Sequence, residues 1–151
     1  MADGLRRIDD MARLLIHVEG QTEEDFVNEF LRDHLFGMGY VNVSARIIGN
    51  ARQRQNRGGI RPWPSVRKDI VNHLREDPTC IATTMVDYYG LPRAGDGAWP
   101  ARSDAAVLNK ERKASSVEAA LLSDISVAMG NTFAPRRFVP FVLMHEFEAL
   151  L

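Results

Sequence analysis

The order of its apolar segments constrains the fold of this chain more than any other feature of its sequence. Three continuous apolar runs suit buried strands, and one segment in which apolar and polar residues alternate suits a further strand. In chain order the four segments are 12–18, 41–48, 80–86 and 138–143. Regular alternation of buried strands with helices predicts an α/β fold in which helices cover both faces of a mainly parallel sheet of about four strands.

Apolar residues at helical spacing lie between these strands and after the last of them. The helical segments are 26–35, 66–74, 117–129 and 145–151. Thr22 is the expected N-cap of the first helix, with Asp25 three residues later as a weak capping box. Gly37 and Gly39 are expected to end that helix.

A length of 151 residues corresponds to one domain. Residues 1–11 are interpreted as an N-terminal extension or tag, and residues 12–151 as a single domain. We expect this domain to be incomplete at its C-terminal end, because HEFEALL, residues 145–151, begins a helix without a C-cap glycine.

Composition excludes several classes of protein. The single cysteine, Cys80, excludes an internal disulfide and a zinc site built from cysteines. No segment approaches the roughly 18 consecutive apolar residues of a membrane-spanning helix. We therefore expect a cytoplasmic protein without a membrane partner.

Acidic side chains follow three of the predicted strands, at the point where each strand ends. Glu19 follows the first strand, Asp87 follows the third, and His145, Glu146 and Glu148 follow the last. Because the carboxyl ends of parallel strands meet at one edge of a sheet, these groups converge if the strands are neighbours. Convergent carboxylates need a cation to offset their repulsion, and oxygen ligands favour Mg²⁺ or Mn²⁺.

The acids of the segment VEGQTEEDF, residues 18–26, have two interpretations. Glu23, Glu24 and Asp25 fall in the first turn of a predicted helix, where a carboxylate stabilises the helix dipole by about 0.3–1 kcal/mol. That effect accounts for Glu24 and Asp25, whereas Glu23 suits either a helix start or a metal site. Glu19 precedes the helix beside a glycine that permits a tight turn, so a metal ligand is the better interpretation there.

The remaining candidates also keep two interpretations. Asp87 suits a turn or helix cap as well as a metal site. Tyr88 and Tyr89 suit packing in the core or stacking on a base or sugar. Glu146 and Glu148 are two residues apart, so on a helix only one of them is expected to face the site.

Basic residues are concentrated in one predicted loop, although the whole chain has a formal net charge of −1. Between Arg46 and Lys68 there are seven basic residues and no acid. Such a loop can contact a nucleic-acid backbone without reading its sequence, or it can simply be solvated. The loop contains neither a P-loop nor a dinucleotide-binding fingerprint. The candidate nucleic-acid contacts are Arg52, Arg54, Arg57, Arg61 and Lys68.

VEGQTEEDF resembles the opening motif of the Toprim fold, which topoisomerases, primases and overcoming-lysogenization-defect type nucleases share. Glu19 and Glu23 match its two acids. Asp87 matches the first position of the second Toprim motif, Asp-x-Asp, whereas Tyr89 occupies the second position. With RGGIRPWPSVRKDI, MVDYYGLP and HEFEALL, the four motifs in order resemble a bacterial family of Toprim-like proteins of unknown function, whose genes often neighbour ATPase genes.

This resemblance implies a Mg²⁺- or Mn²⁺-dependent nuclease or phosphoryl-transfer subunit. Glu19 and Asp87 would be catalytic, and the metal ligands would be Glu19, Glu23 and Asp87. Separately from the resemblance, we expect Glu146 or Glu148 to replace the missing second aspartate. The expected partners are nucleic acid, DNA rather than RNA, and an AAA- or ABC-type ATPase in phage defence; the oligomeric state stays open. The alternative is a degenerate Toprim-like module that binds a protein or nucleic acid without cleaving it.

Overall fold

The computed structural model describes residues 12–48 and 61–144, and these form an α/β structure around one parallel sheet. The strands are β1 (Arg13–Val18), β2 (Asn42–Ile47), β3 (Cys80–Asp87), β4 (Phe138–Val139) and β5 (Val142–Leu143). The helices are α1 (Gln21–Phe26 and Arg32–Gly37, joined by a π-helical turn at Val27–Leu31), α2 (Trp63–Glu76) and α3 (Lys110–Met129). None of the helices in these two ranges has the length and apolar character needed to cross a membrane.

The sheet has the strand order β2-β1-β3-β4, and β5 also pairs with β3. Every one of these strand pairs is parallel. Parallel neighbours need crossover connections, and the three helices supply them. The predicted α/β fold with a mainly parallel sheet is thus confirmed. Two neighbours of β3, β1 and β5, end beside its own carboxyl end.

Two apolar clusters, one on each face of the sheet, form the core. On one face, Leu14 and Ile16 of β1 pack with Val27 of α1. On the other face, Ala82 of β3 packs with residues of α2 and α3, including Ile70. Strand side chains alternate between the faces, so both faces of a parallel strand must be covered by apolar residues.

Helix α1 begins earlier than the sequence predicts. Gly20 is its N-cap residue, and the Glu24 N–H donates to the Gly20 carbonyl at 3.1 Å. The prediction that Thr22 caps this helix is therefore wrong. The Gln21 amide nitrogen donates to the carboxylate of Asp25 at 2.8 Å, so the acid expected to complete a capping box pairs with a different side chain.

The predicted strand at 138–143 is divided into β4 and β5 by Pro140. Both parts pair with β3 in the same register, because Phe138 is opposite Ala82 and, four residues later on each strand, Val142 is opposite Val86. Pro140 has no N–H and cannot donate to the ladder. The Thr84 hydroxyl replaces the missing pairing, since it donates to the Phe141 carbonyl at 2.8 Å and accepts from the Phe141 N–H at 2.9 Å.

Candidate metal-binding edge of the sheet

Glu19 and Asp87 lie at the ends of two neighbouring strands, at the carboxyl edge of the sheet. In the parallel register Val18 is opposite Met85, so Glu19 follows β1 at the level of Val86, one residue before Asp87. Both residues are half-buried. Since β1 and β3 are hydrogen-bonded neighbours, the topology places the two acids that the sequence predicts to be catalytic at the same edge of the sheet.

Glu23 is held against the same turn by the first turn of α1. Its side chain is only 8% exposed, which is unusual for a glutamate. A Cβ atom placed on Gly20 would lie 3.4 Å from Glu23 Oε2, so this carboxylate folds back over Gly20. The glycine at this position allows the carboxylate to lie close to the backbone of the turn that follows β1.

Asp87 also has a structural role. Its Oδ1 atom accepts a hydrogen bond from the Tyr89 N–H at 3.1 Å and caps a short 3₁₀ turn at Tyr88–Gly90. A carboxylate has two oxygens and about four lone-pair positions, so a single capping bond is compatible with metal binding by the same group. The prediction that Asp87 caps a turn is therefore confirmed, and this role does not exclude metal binding by the same carboxylate.

The predicted metal ligands are only partly described. Within residues 12–48 and 61–144, no three side chains from His, Cys, Asp and Glu lie together closely enough to hold a metal ion. Glu146 and Glu148, as well as His145, lie outside the described residues. However, Leu143 of β5 is opposite Asp87, so the chain leaves the sheet beside that carboxylate before it reaches residue 145.

The candidate nucleic-acid contacts are also only partly described. Arg52, Arg54 and Arg57 lie outside the described residues. Arg61 directly precedes α2, and its carbonyl accepts from Trp99 Nε1 at 2.8 Å, which fixes the chain at this point. Lys68 is exposed on α2.

The tryptophan of the RPWP segment attaches the start of α2 to α3. Trp63 Nε1 donates to Asp124 Oδ2 at 2.6 Å, and the Trp63 and Trp99 rings are 4.9 Å apart. Arg67 adds an ion pair to the same carboxylate at 3.2 Å. The arginines of this segment make it a candidate for nucleic-acid contact. Its tryptophan and Arg67 also hold the start of α2 against α3.

A cluster of aromatic and cationic side chains lies beside Asp87, and the sequence did not predict it. Tyr88 is 1% exposed, and the Arg102 guanidinium stacks on its ring at 3.9 Å. Arg102 also donates to the Tyr88 carbonyl at 2.9 Å and to the Tyr88 hydroxyl at 3.1 Å. Lys113 Nζ, from the first turns of α3, lies 5.8 Å from the ring centroid of Tyr89. Arg102 lies in an irregular loop, so no periodicity in the sequence indicated this contact.

A buried histidine and a half-buried one, His17 and His73, form a pair on the face of the sheet that α2 covers. His17 of β1 and His73 of α2 stack with their ring centroids 5.2 Å apart, and Arg46 Nη1 is 2.8 Å from His73 Nε2. Burial, followed by the charges of His73 and Arg46, lowers the pKa of His17 to about 3. Burial likewise lowers the pKa of His73. A neutral imidazole pair at this position belongs to the core rather than to the acidic edge.

An apolar groove of about 400 Å³ lies between α1 and the sheet. Its lining has no titratable side chain, and only two threonines are polar. The lining residues are Leu14, Ile16, Phe26, Leu31, Leu35, Thr83, Thr84, Met85, Phe141 and Leu143. The groove can hold apolar groups, whereas the charged groups that phosphate chemistry needs lie at the carboxyl edge.

Comparison with protein families gives one match. Residues 18–151 match the family described as Domain of unknown function (DUF4276). The chain belongs to this family. No curated protein and no solved structure matches it. The matched range begins at Val18, so all the candidate acids lie within the DUF4276 domain, from Glu19 onward.

Proposed function

We propose that this DUF4276 protein is a Mg²⁺- or Mn²⁺-dependent nuclease subunit that cleaves phosphodiester bonds in nucleic acid. One observation carries the proposal: Glu19 and Asp87 close two hydrogen-bonded parallel strands at the same edge of the sheet. Ligand sites in open parallel sheets lie outside the carboxyl ends of the strands. Two carboxylates at neighbouring strand ends repel each other, and a bound cation would offset that repulsion.

The residues present suit a hard divalent cation. Carboxylate oxygens are the donors that Mg²⁺ prefers. Glu19, Glu23 and Asp87 would supply them by closing around the ion, since the three carboxylates do not form an assembled ligand group in the described structure. When bound, the cation would polarise the phosphate and lower the pKa of a water or hydroxyl nucleophile. Glu19 would act as a ligand or as a general base, depending on its distance from the cation. The Glu23 carboxylate lies against Gly20, the residue that directly follows Glu19.

The charges around this edge support a polyanionic substrate. Arg61 precedes α2, and the first turns of α3 contain Lys110, Arg112 and Lys113. The first turns of α3 lie at this edge, because Lys113 Nζ lies 5.8 Å from the ring centroid of Tyr89, two residues after Asp87. These cations favour nucleic acid as the substrate. The resemblance to the Toprim fold adds the proposal that the nucleic acid is DNA and that an ATPase is the partner in phage defence.

A second candidate is a module that binds nucleic acid or protein without cleaving it. Tyr89 in place of the second Toprim aspartate favours this function, and so does the capping bond that Asp87 makes to the Tyr89 N–H. The two candidates make opposite predictions for a cleavage assay.

A cleavage assay on labelled DNA with Mn²⁺ tests the proposal. Glu19→Gln and Asp87→Asn keep the size of each side chain and remove its charge, so each should lower the rate by about 100-fold or more. Asp25→Asn, which removes an exposed acid from the first helical turn, should leave the rate unchanged. Binding of DNA without metal-dependent cleavage by the unaltered chain would support the second candidate and overturn the first.

A further inference from the structure

We propose that Tyr89 and Lys113 form a binding platform for one unpaired nucleotide of a single-stranded nucleic acid. The platform lies beside Asp87, and the choice of nucleic acid as its ligand rests on the function proposed above. Its chemistry is a stacking surface for a base next to a cation for the adjoining phosphate. No role in the predicted metal site requires either side chain.

Tyr89 is a large aromatic residue that is 59% exposed but fixed in position. Its N–H is held by Asp87 Oδ1, and its ring meets the Tyr88 ring edge-on, with centroids 5.1 Å apart and an interplanar angle of 88°. Tyr88 is itself fixed by the stacked guanidinium of Arg102. A ring held in this way loses little conformational freedom when a base stacks on it, which lowers the entropic cost of binding.

Lys113 supplies the positive charge. Its Nζ atom lies 5.8 Å from the ring centroid of Tyr89 and 5.9 Å from that of Tyr88, within the range of a cation–π contact. A strand with a base stacked on Tyr89 would therefore pass close to an ammonium group that can pair with one of its phosphates. Stacking with a nearby cation is the usual mode by which proteins bind single strands without reading sequence.

The position of the platform determines the kind of substrate. Tyr89 follows Asp87 by two residues, and Asp87 lies at the same edge as Glu19. An aromatic ring can stack only on a base whose face is exposed, so the nucleotide must be unpaired: a single strand, a strand end or a flipped base. The platform would place such a nucleotide next to the acids that bind the metal.

Fluorescence anisotropy of a labelled oligodeoxythymidine strand with the full chain, in EDTA, measures this binding without cleavage. Tyr89→Ala should weaken binding by roughly 5- to 150-fold, the range for loss of one stacked base. Tyr89→Phe should bind as the unaltered chain does, because stacking needs only the ring. Lys113→Ala should weaken binding and reduce the slope of log affinity against log salt by about 0.7, the value for one phosphate contact to a single strand.

Two controls remove similar groups from the opposite edge of the sheet. Phe36→Ala removes an exposed ring near the end of α1, and Arg136→Ala removes an exposed cation just before β4. Neither should change the affinity for the single strand. A blunt duplex of the same length should bind equally to Tyr89→Ala and to the unaltered chain.

The platform would be overturned if Tyr89→Ala bound the single strand as tightly as the unaltered chain does. It would also be overturned if Phe36→Ala lost as much affinity for the single strand as Tyr89→Ala does. Either result leaves the proposed function standing if cleavage still needs Glu19 and Asp87. Conversely, weaker binding by Tyr89→Ala supports the platform even if Glu19→Gln and Asp87→Asn cleave at the normal rate, a result that would overturn only the nuclease.

Discussion

His17 shows how strongly a single buried residue can link this fold to pH. It is opposite Arg46 in β2 and Thr84 in β3, and it stacks on His73 of α2. Its Nε2 atom is buried without a hydrogen-bond partner. An imidazolium at this position would place a charge in the core beside the Arg46 guanidinium, so the native state keeps His17 neutral.

Acid should therefore destabilise the chain through His17. The pKa of His17 is about 3 in the native state and 6.5 in the unfolded state, so the unfolded state binds the proton first. The free energy of unfolding should fall as the pH is lowered from 6.5 towards 3, with a limiting slope of about 1.4 kcal/mol per pH unit. Urea denaturation at pH 7 and at pH 5 measures this loss of unfolding free energy. His17→Leu should reduce this loss, whereas His34→Asn, at an exposed position, should keep it.

If His17→Leu loses as much stability on acidification as the unaltered chain, the dependence on pH arises elsewhere and the account of His17 is wrong.

Single residues of the candidate site differ in how far the sequence could predict them. The positions of Glu19 and Asp87 at strand ends were predictable, because a charged residue directly after an apolar run indicates a strand end. Glu23 was ambiguous, since its burial depends on how its side chain folds over Gly20. Arg102 and Lys113 could not be predicted, because they reach Tyr88 and Tyr89 from distant segments with no pattern of their own.

At the level of secondary structure, the edge strand depends on one hydroxyl group. Thr84 bonds both backbone groups of Phe141, where Pro140 interrupts the ladder between β4 and β5. Glu118 of α3 then accepts from the Val142 N–H at 3.0 Å, which attaches β5 to the helix that covers it. These bonds hold Leu143 opposite Asp87 and so position the chain that leaves the candidate site.

Thr84→Val should loosen this strand. Valine keeps the shape of threonine but leaves the Phe141 N–H and carbonyl without this partner, which should cost about 1–3 kcal/mol in the free energy of unfolding. Chemical denaturation followed by circular dichroism gives the value. Thr83→Val, on the same strand but half-buried and opposite Val139, should change stability by no more than about 0.5 kcal/mol. Equal effects of the two substitutions would contradict this role of Thr84.

The order of strands and helices was predictable, whereas local irregularities were not. Apolar runs and helical spacing indicated β1, β2, β3, α2 and α3, with ends that differ from the structure by a few residues in most cases. The break at Pro140 was missed because it depends on a hydroxyl from a neighbouring strand. The π-helical turn at Val27–Leu31 has no signal in the sequence, and nothing in the described contacts explains it.

At the level of the whole molecule, the fold determines which acids can meet. The sequence predicted parallel strands but not their order, which depends on packing between distant segments. The order β2-β1-β3-β4 makes β1 and β3 neighbours and brings β5 beside β3. Any other neighbour for β1 would have separated Glu19 from Asp87. The topology thus supports the central proposal without depending on the loop that contains Arg52, Arg54 and Arg57.

Isothermal titration of the full chain with Mn²⁺ tests that proposal most directly. The unaltered chain and Asp25→Asn should bind Mn²⁺ with the same affinity, because Asp25 is exposed and lies outside the proposed ligand set. Glu19→Gln and Asp87→Asn should each weaken binding by at least about tenfold, or roughly 1.4 kcal/mol. Failure of the unaltered, folded chain to bind Mn²⁺, or equal affinity in all four proteins, would contradict a metal site at the carboxyl edge of the sheet.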